Sequence, residues 1–73
     1  MKNTYIVEME KMGRNDVFEY CYRLNDAKRI VVKNFDLNLS ILVTRGSKFG
    51  EGQHTFRYTY NASKLSFKRI KLS

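Results

Sequence analysis

The last third of the chain interleaves bases with aromatics: Arg57, Lys64, Lys68, Arg69 and Lys71 stand among Phe56, Tyr58, Tyr60 and Phe67. Surfaces that hold single-stranded nucleic acid use this mix, because cations release counterions from phosphates while rings stack on bases. In strand phase, however, these aromatics mostly face opposite to the bases. The pattern therefore predicts rings in a core and charges outside, and favours electrostatic contact over stacking. A second cationic set, Lys28, Arg29 and Lys33, belongs to a segment of helical periodicity. A third candidate is the pair Lys48 and Phe49, at the tip of a glycine-rich stretch over residues 46–53. A mobile tip there would offer a cation to a phosphate and a ring to a base or an apolar pocket. That stretch lacks the Gly-Lys-Ser/Thr ending of a phosphate-binding loop and precedes no helix, so it does not point to a nucleotide.

The residues that usually do covalent or metal chemistry are few. His54 is the only histidine and Cys21 the only cysteine, and neither has a recognisable catalytic partner in sequence. His54 reads as a rim residue at a strand start. Cys21, between Tyr20 and Tyr22, reads as a small buried or half-buried apolar residue. Glu8 and Glu10 share a strand face, but among neighbouring bases they read as a solvated charge face. No Asp-rich loop or His pair offers metal ligands. The expectation is a non-enzymatic binding protein with no cofactor, no metal and no small-molecule substrate.

The candidate residues need elements to position them. Residues 4–12 alternate Tyr5, Val7 and Met9 with Glu8 and Glu10, as a strand with one wet face does. A turn cluster at residues 13–16 leads to a second strand over residues 17–24, with Phe18, Tyr20, Tyr22 and Leu24 on one face. The capping-box-like spacing of Asp16 and Glu19 leaves a helix as the alternative there. Ala27, Ile30, Val31 and Phe35 stand at i, i+3, i+4 and i+8, one helical stripe, with Lys28, Arg29 and Lys33 pointing away from it. Asn25 or Asp26 would cap a helix beginning near Ala27. The stiff valines Val31 and Val32 keep a strand over residues 29–35 as the competing reading.

Three further strands follow. Residues 36–45 alternate Leu37, Leu39, Ile41 and Val43 with polar side chains, Leu42 excepted, and this aliphatic row would lie under the helix stripe. Residues 54–60 alternate Phe56, Tyr58 and Tyr60 with Thr55, Arg57 and Thr59. After a turn at residues 61–63, Leu65 and Phe67 are out of phase with Ile70 and Leu72, which predicts a bulge near Lys68 and Arg69. The prediction is a single α+β domain over residues 1–73, a roughly five-stranded antiparallel sheet packed on or wrapped around one short helix, in the order ββαβββ.

Length and charge set the terms on which this domain acts. Seventy-three residues hold one small core, and total stability is about 4 to 11 kcal/mol. Net charge is +7. Residues 1–36 hold seven bases against six acids, whereas residues 37–73 hold seven bases against Glu51 alone. A field concentrated in the second half argues for a polyanionic partner, namely nucleic acid, a ribonucleoprotein or an acidic protein surface. One cysteine suits a reducing cytosol, and no run has the length or flanks of a membrane span or signal peptide, so a soluble, unprocessed, cytoplasmic protein is expected.

The segment Ala27-Lys28-Arg29-Ile30, placed after a strand hairpin, together with Met1-Lys2 and the nearby Tyr5-Ile6, resembles small phage-type anti-CRISPR proteins of type I-F. The present chain differs from them in having no tryptophan in its last hairpin, a longer glycine-rich loop and a more basic carboxyl end. The resemblance implies a five-stranded antiparallel sheet curled around one helix. It also implies an inhibitor that docks on the guide-RNA-loaded surveillance complex, competes with target DNA at its positively charged channel and promotes non-specific DNA association. Lys28 and Arg29 are the contact residues it carries over. Two readings stand at this point: a phage-type inhibitor of a host ribonucleoprotein or other host protein, using Lys28, Arg29, Lys33 and the basic carboxyl hairpin, and a direct nucleic-acid-binding module. The module would use Arg57, Lys64, Lys68, Arg69, Lys71 and the Lys48 loop.

Overall fold

The computed structural model of the chain describes residues 3–46 and 52–72. Five strands and one helix follow in the order β1 (Asn3–Lys11), β2 (Arg14–Cys21), α1 (Leu24–Lys33), β3 (Leu39–Arg45), β4 (Gln53–Asn61) and β5 (Ser66–Lys71). The strands form one antiparallel sheet in the spatial order β2-β1-β3-β4-β5. This is the α+β, ββαβββ architecture that the hydrophobic patterning predicts. The helix joins β2 to β3, which flank β1 on its two sides, so α1 crosses over β1.

The first hairpin turns on two residues between the paired Lys11 and Arg14. Met12 and Gly13 there have φ of 55° and 82°, both in the left-handed region that a tight primed hairpin turn requires. Glycine meets that demand without strain, and methionine meets it at a cost. A bulge then interrupts β2: Val7 opposes Glu19 and Glu8 opposes Val17, leaving Phe18 as the extra residue.

The core lies between α1 and one face of the sheet. Val7, Cys21, Ala27, Val31, Leu39 and Ile41 form its buried cluster, with Tyr5, Met9, Leu24, Ile30, Tyr58, Tyr60 and Phe67 packed around it. Val7 stands opposite Ile41 and Met9 opposite Leu39, so the aliphatic row of β3 lies where the periodicity placed it, beneath the helix stripe. The other face also buries Ile6 and Leu42, which oppose one another. Leu42, the misfit in the alternating pattern, is therefore the apolar residue of a second buried row.

Several expectations need correction. The helix begins at Leu24, and Arg23 occupies the N-cap without a side-chain hydrogen bond, in place of Asn25 or Asp26. Asp26 instead pairs with Arg23 at 3.3 Å and Arg29 at 3.8 Å. The helix ends at Lys33 because Asn34 caps it: its side-chain amide and its backbone N–H both donate to the Ile30 carbonyl, at 2.9 Å and 3.1 Å. Phe35 consequently lies beyond the helix, 66% exposed, and Leu24 takes the place in the stripe assigned to it. Leu37 precedes β3 and is exposed. The second strand ends at Cys21, so Tyr22 and Leu24 are not on it; of its aromatics, Phe18 and Tyr20 are exposed and Cys21 is the buried residue.

Candidate functional site: the basic aromatic face of β4 and β5

Strand β4 is built of alternating aromatic and polar residues, and its pairing with β5 has no register shift. The bulge expected near Lys68 and Arg69 is absent; the irregularities fall at Val7/Glu8 and at Val43/Thr44. The phase slip in the sequence is no irregularity: Phe67 and Ile70 lie on opposite faces of a regular strand, and Leu65 sits exposed in the turn with a φ of 53°. Asn61 builds that turn by accepting hydrogen bonds on Oδ1 from the backbone N–H groups of Ser63 and Lys64, at 3.1 Å and 3.3 Å.

A regular register decides which side chains share a face. Phe56 opposes Lys71, Tyr58 opposes Arg69 and Tyr60 opposes Phe67. Side chains directly opposite one another in an antiparallel pair lie on the same side of the sheet. Tyr58, Tyr60 and Phe67 pack against the core cluster, so this is the side that carries α1. Aromatics and two of the bases therefore share a face, contrary to the separation that strand phase predicted. Arg57, opposite Ile70, and Lys68, opposite Thr59, lie on the other side.

The contacts on the helix side confirm this grouping. The Arg69 guanidinium carbon lies 4.6 Å from the centre of the Phe56 ring. The Lys28 ammonium lies 5.4 Å from the ring centre of Tyr58 and 5.2 Å from that of Phe67. Such distances let the negative ring faces attract the cations. The Tyr60 and Phe67 rings are 4.8 Å apart and tilted by 40°. Lys28 thus leans from the flank of the helix toward the sheet rather than pointing away, as the wheel predicted. All four aromatics of β4 and β5 remain half-buried, and three of them, Tyr58, Tyr60 and Phe67, pack against the core cluster.

The other predicted contact residues distribute as follows. Arg29 and Lys33 are exposed on the helix, Arg29 within the ion pair to Asp26. Lys64 is exposed in the β4–β5 turn and Lys68 on β5. A cleft of about 590 Å³ runs between Thr59, Asn61, Lys64 and Lys68, and no carboxylate or histidine lines it. Lys48 and Phe49 lie outside the described residues.

Arg57 has a different surrounding. Its Nη1 donates to Glu8 Oε1 at 2.9 Å and to Ser40 Oγ at 2.8 Å, and the paired side chains are 24% and 13% exposed. This pair staples β1, β3 and β4 on the face away from the helix. Glu8 is therefore a half-buried ion-pair partner and not part of a solvated charge face. Glu10 is exposed and accepts from the Asn38 side-chain amide at 3.0 Å.

His54 is exposed at the start of β4 and shares a hydrogen bond of 3.1 Å with Thr44. Burial raises the pKa of Cys21, and the negative charges of Glu19 and Asp26 raise it further. A thiol held protonated in this way is a poor nucleophile. Among the described residues, no three His, Cys, Asp or Glu side chains gather into a metal-binding group. No described helix is long and apolar enough to cross a membrane.

Compared with known proteins, the chain matches no family profile, no curated protein and no solved structure.

Sequence reasoning missed that the aromatics and the basic residues Arg69 and Lys71 share one face. The available signal was β4 itself, in which every second residue from Phe56 to Tyr60 is aromatic. It needed only to be continued in a regular register onto Phe67, Arg69 and Lys71.

Proposed function

We propose that this is a non-enzymatic binding protein that engages nucleic acid through β4, β5 and the flank of α1. The observation that carries the reading is the joint face of Lys28, Arg69 and Lys71 with Phe56, Tyr58, Tyr60 and Phe67, on two strands that contain no acidic residue. Cations so placed neutralise phosphates, and each neutralised phosphate releases counterions into bulk solution. Lys64 and Lys68 extend the positive field around the edge strand, whereas Arg57 contributes less because Glu8 balances it. A cytosolic setting suits the lone, buried thiol.

A salt titration tests the reading. Fluorescence anisotropy with short generic DNA and RNA is expected to give an affinity that falls steeply as salt rises. Lack of binding even at low salt overturns it.

In a second reading the protein is a phage-type inhibitor that docks on a host ribonucleoprotein, a CRISPR surveillance complex in the form the resemblance implies, and blocks its access to nucleic acid. What favours it is the element order, one helix among five antiparallel strands, together with the exposed Arg29 and Lys33. Charge reversal at Lys28 and Arg29 is then expected to abolish capture of the guide-RNA-loaded complex, and unchanged capture counts against that helix face.

A further inference from the structure

We infer that the face of β4 and β5 takes unpaired bases, so that the nucleic acid it prefers is single-stranded. The inference rests on the nucleic-acid reading above and adds the class of strand.

A duplex offers a protein surface its phosphates and the edges of its bases, while the base faces are stacked on one another. An exposed ring adds little on such a target. A single strand presents base faces, and an aromatic side chain stacks on any of them without regard to sequence. Sheets that bind single strands set aromatics on neighbouring strands and flank them with cations that follow the backbone. The β4–β5 face has both parts. Phe56, half-buried opposite the buried Val43, is the ring best placed to take a base, because Tyr58, Tyr60 and Phe67 pack against the core cluster under the helix and it does not. Its one described ring contact is the Arg69 guanidinium at 4.6 Å. That group is planar, and a base can stack on it or displace it toward a phosphate. Tyr58 lies two residues along the same strand face, with Lys28 beside it. Lys71 stands opposite Phe56 at the exposed edge of the sheet, where a backbone phosphate would pass. At the far end of the row Tyr60 and Phe67 contact one another.

The geometry also separates the roles. Phe56 and Tyr58 distinguish single from double strands, whereas Arg69 and Lys71 bind phosphate in either. The test measures anisotropy of a labelled oligothymidylate and of a mixed-sequence duplex of equal length against the intact protein, with Phe56→Leu, Phe56→Tyr and the double variant Arg69→Gln/Lys71→Gln. Thermal melts establish that each variant folds. The single strand is expected to bind more tightly than the duplex. Phe56→Leu is expected to lose about five- to a hundredfold in affinity for the single strand with little change for the duplex, the range of one stacked base. Phe56→Tyr, which keeps a ring, is expected to retain binding. The Arg69/Lys71 double variant is expected to weaken both probes and flatten the salt dependence by about two phosphates. Equal affinity for the two probes, or equal losses on Phe56→Leu, overturns the single-strand inference and leaves the nucleic-acid reading standing. Absence of binding to both probes at low salt overturns both.

Discussion

Arg57 and Glu8 have charged side chains that serve the fold more than the surface. Their contact, with Ser40 as a third partner, is half-buried, and a charged group that loses its partner there keeps its desolvation cost. Glu8→Ala is therefore expected to destabilise the protein by about 1 to 3 kcal/mol, measured by urea unfolding. Glu8→Gln, which still accepts a hydrogen bond, should cost less. Cys21 makes the second residue-scale prediction. Its folded pKa lies above the ordinary 9.0, so the unfolded chain releases the thiol proton first as pH rises. The stability linked to this group is fully present below pH 9.0 and is lost as pH climbs toward the raised folded value. Cys21→Ala should remove that part of the alkaline decline, visible as a shallower fall of unfolding free energy than in the parent chain. Of these two residues the sequence discloses one. A small cysteine between tyrosines on a strand reads as buried, but nothing local to Arg57 reveals a carboxylate arriving from a strand 49 positions away.

At the scale of elements, the helix shows how far periodicity reaches. Ala27 and Val31 are buried as their spacing requires, because a 3.6-residue repeat is a property of the backbone itself. The ends of the helix follow from competing hydrogen bonds, and Asn34 closes it before Phe35. Its start is open to improvement. Arg23 has the extended backbone of an N-cap, with φ −132° and ψ 139°, but offers no side-chain acceptor. Arg23→Ser would cap the first turn and form a box-like pair with Asp26, for a net gain of about 0.5 kcal/mol after the exposed Arg23–Asp26 contact is lost. A rise of a few degrees in melting temperature is expected. Strands were legible by their alternation for the same reason as the helix. Bulges were not, because an extra residue is defined by the ladder opposite, and the Phe18 bulge in β2 leaves no local mark distinct from ordinary alternation. The candidate site depends on this directly: because β5 has no bulge, Arg69 and Lys71 lie on the aromatic face.

At the scale of the whole molecule, the sheet is layered in protection. β1 and β3 lie inside it, are paired on both sides and sit under or beside the helix, while β2 and β5 form its edges. Local opening follows exposure of backbone hydrogen bonds and sparseness of apolar contacts. Amide hydrogen exchange should accordingly be slowest in Val7 and Ile41 and their ladder neighbours, and faster along Arg14–Tyr20 and Ser66–Lys71. Uniform exchange across the five strands would contradict this order. The cores of β1 and β3 were readable from aliphatic alternation, but their adjacency was not, since β1 and β3 are brought together only by the crossover of α1.

The strand order also sorts charge. The carboxylates Glu8, Glu10, Asp16 and Glu19 belong to β1 and β2 at one side, and β4 and β5 at the other hold bases and no acid. Lys11 and Arg14 offset part of that acidity, yet β1 and β2 together remain more acidic than β4 and β5, and positive charge rises across the width of the sheet. In the field of a polyanion a body so charged experiences a torque as well as an attraction, which favours the β4–β5 side toward the partner. Orientation would then be largely accomplished before contact, which raises the fraction of productive collisions. Screening confines that guidance to about a Debye length, roughly 8 Å at physiological ionic strength, so it acts over the last approach before the contacts of the face itself form.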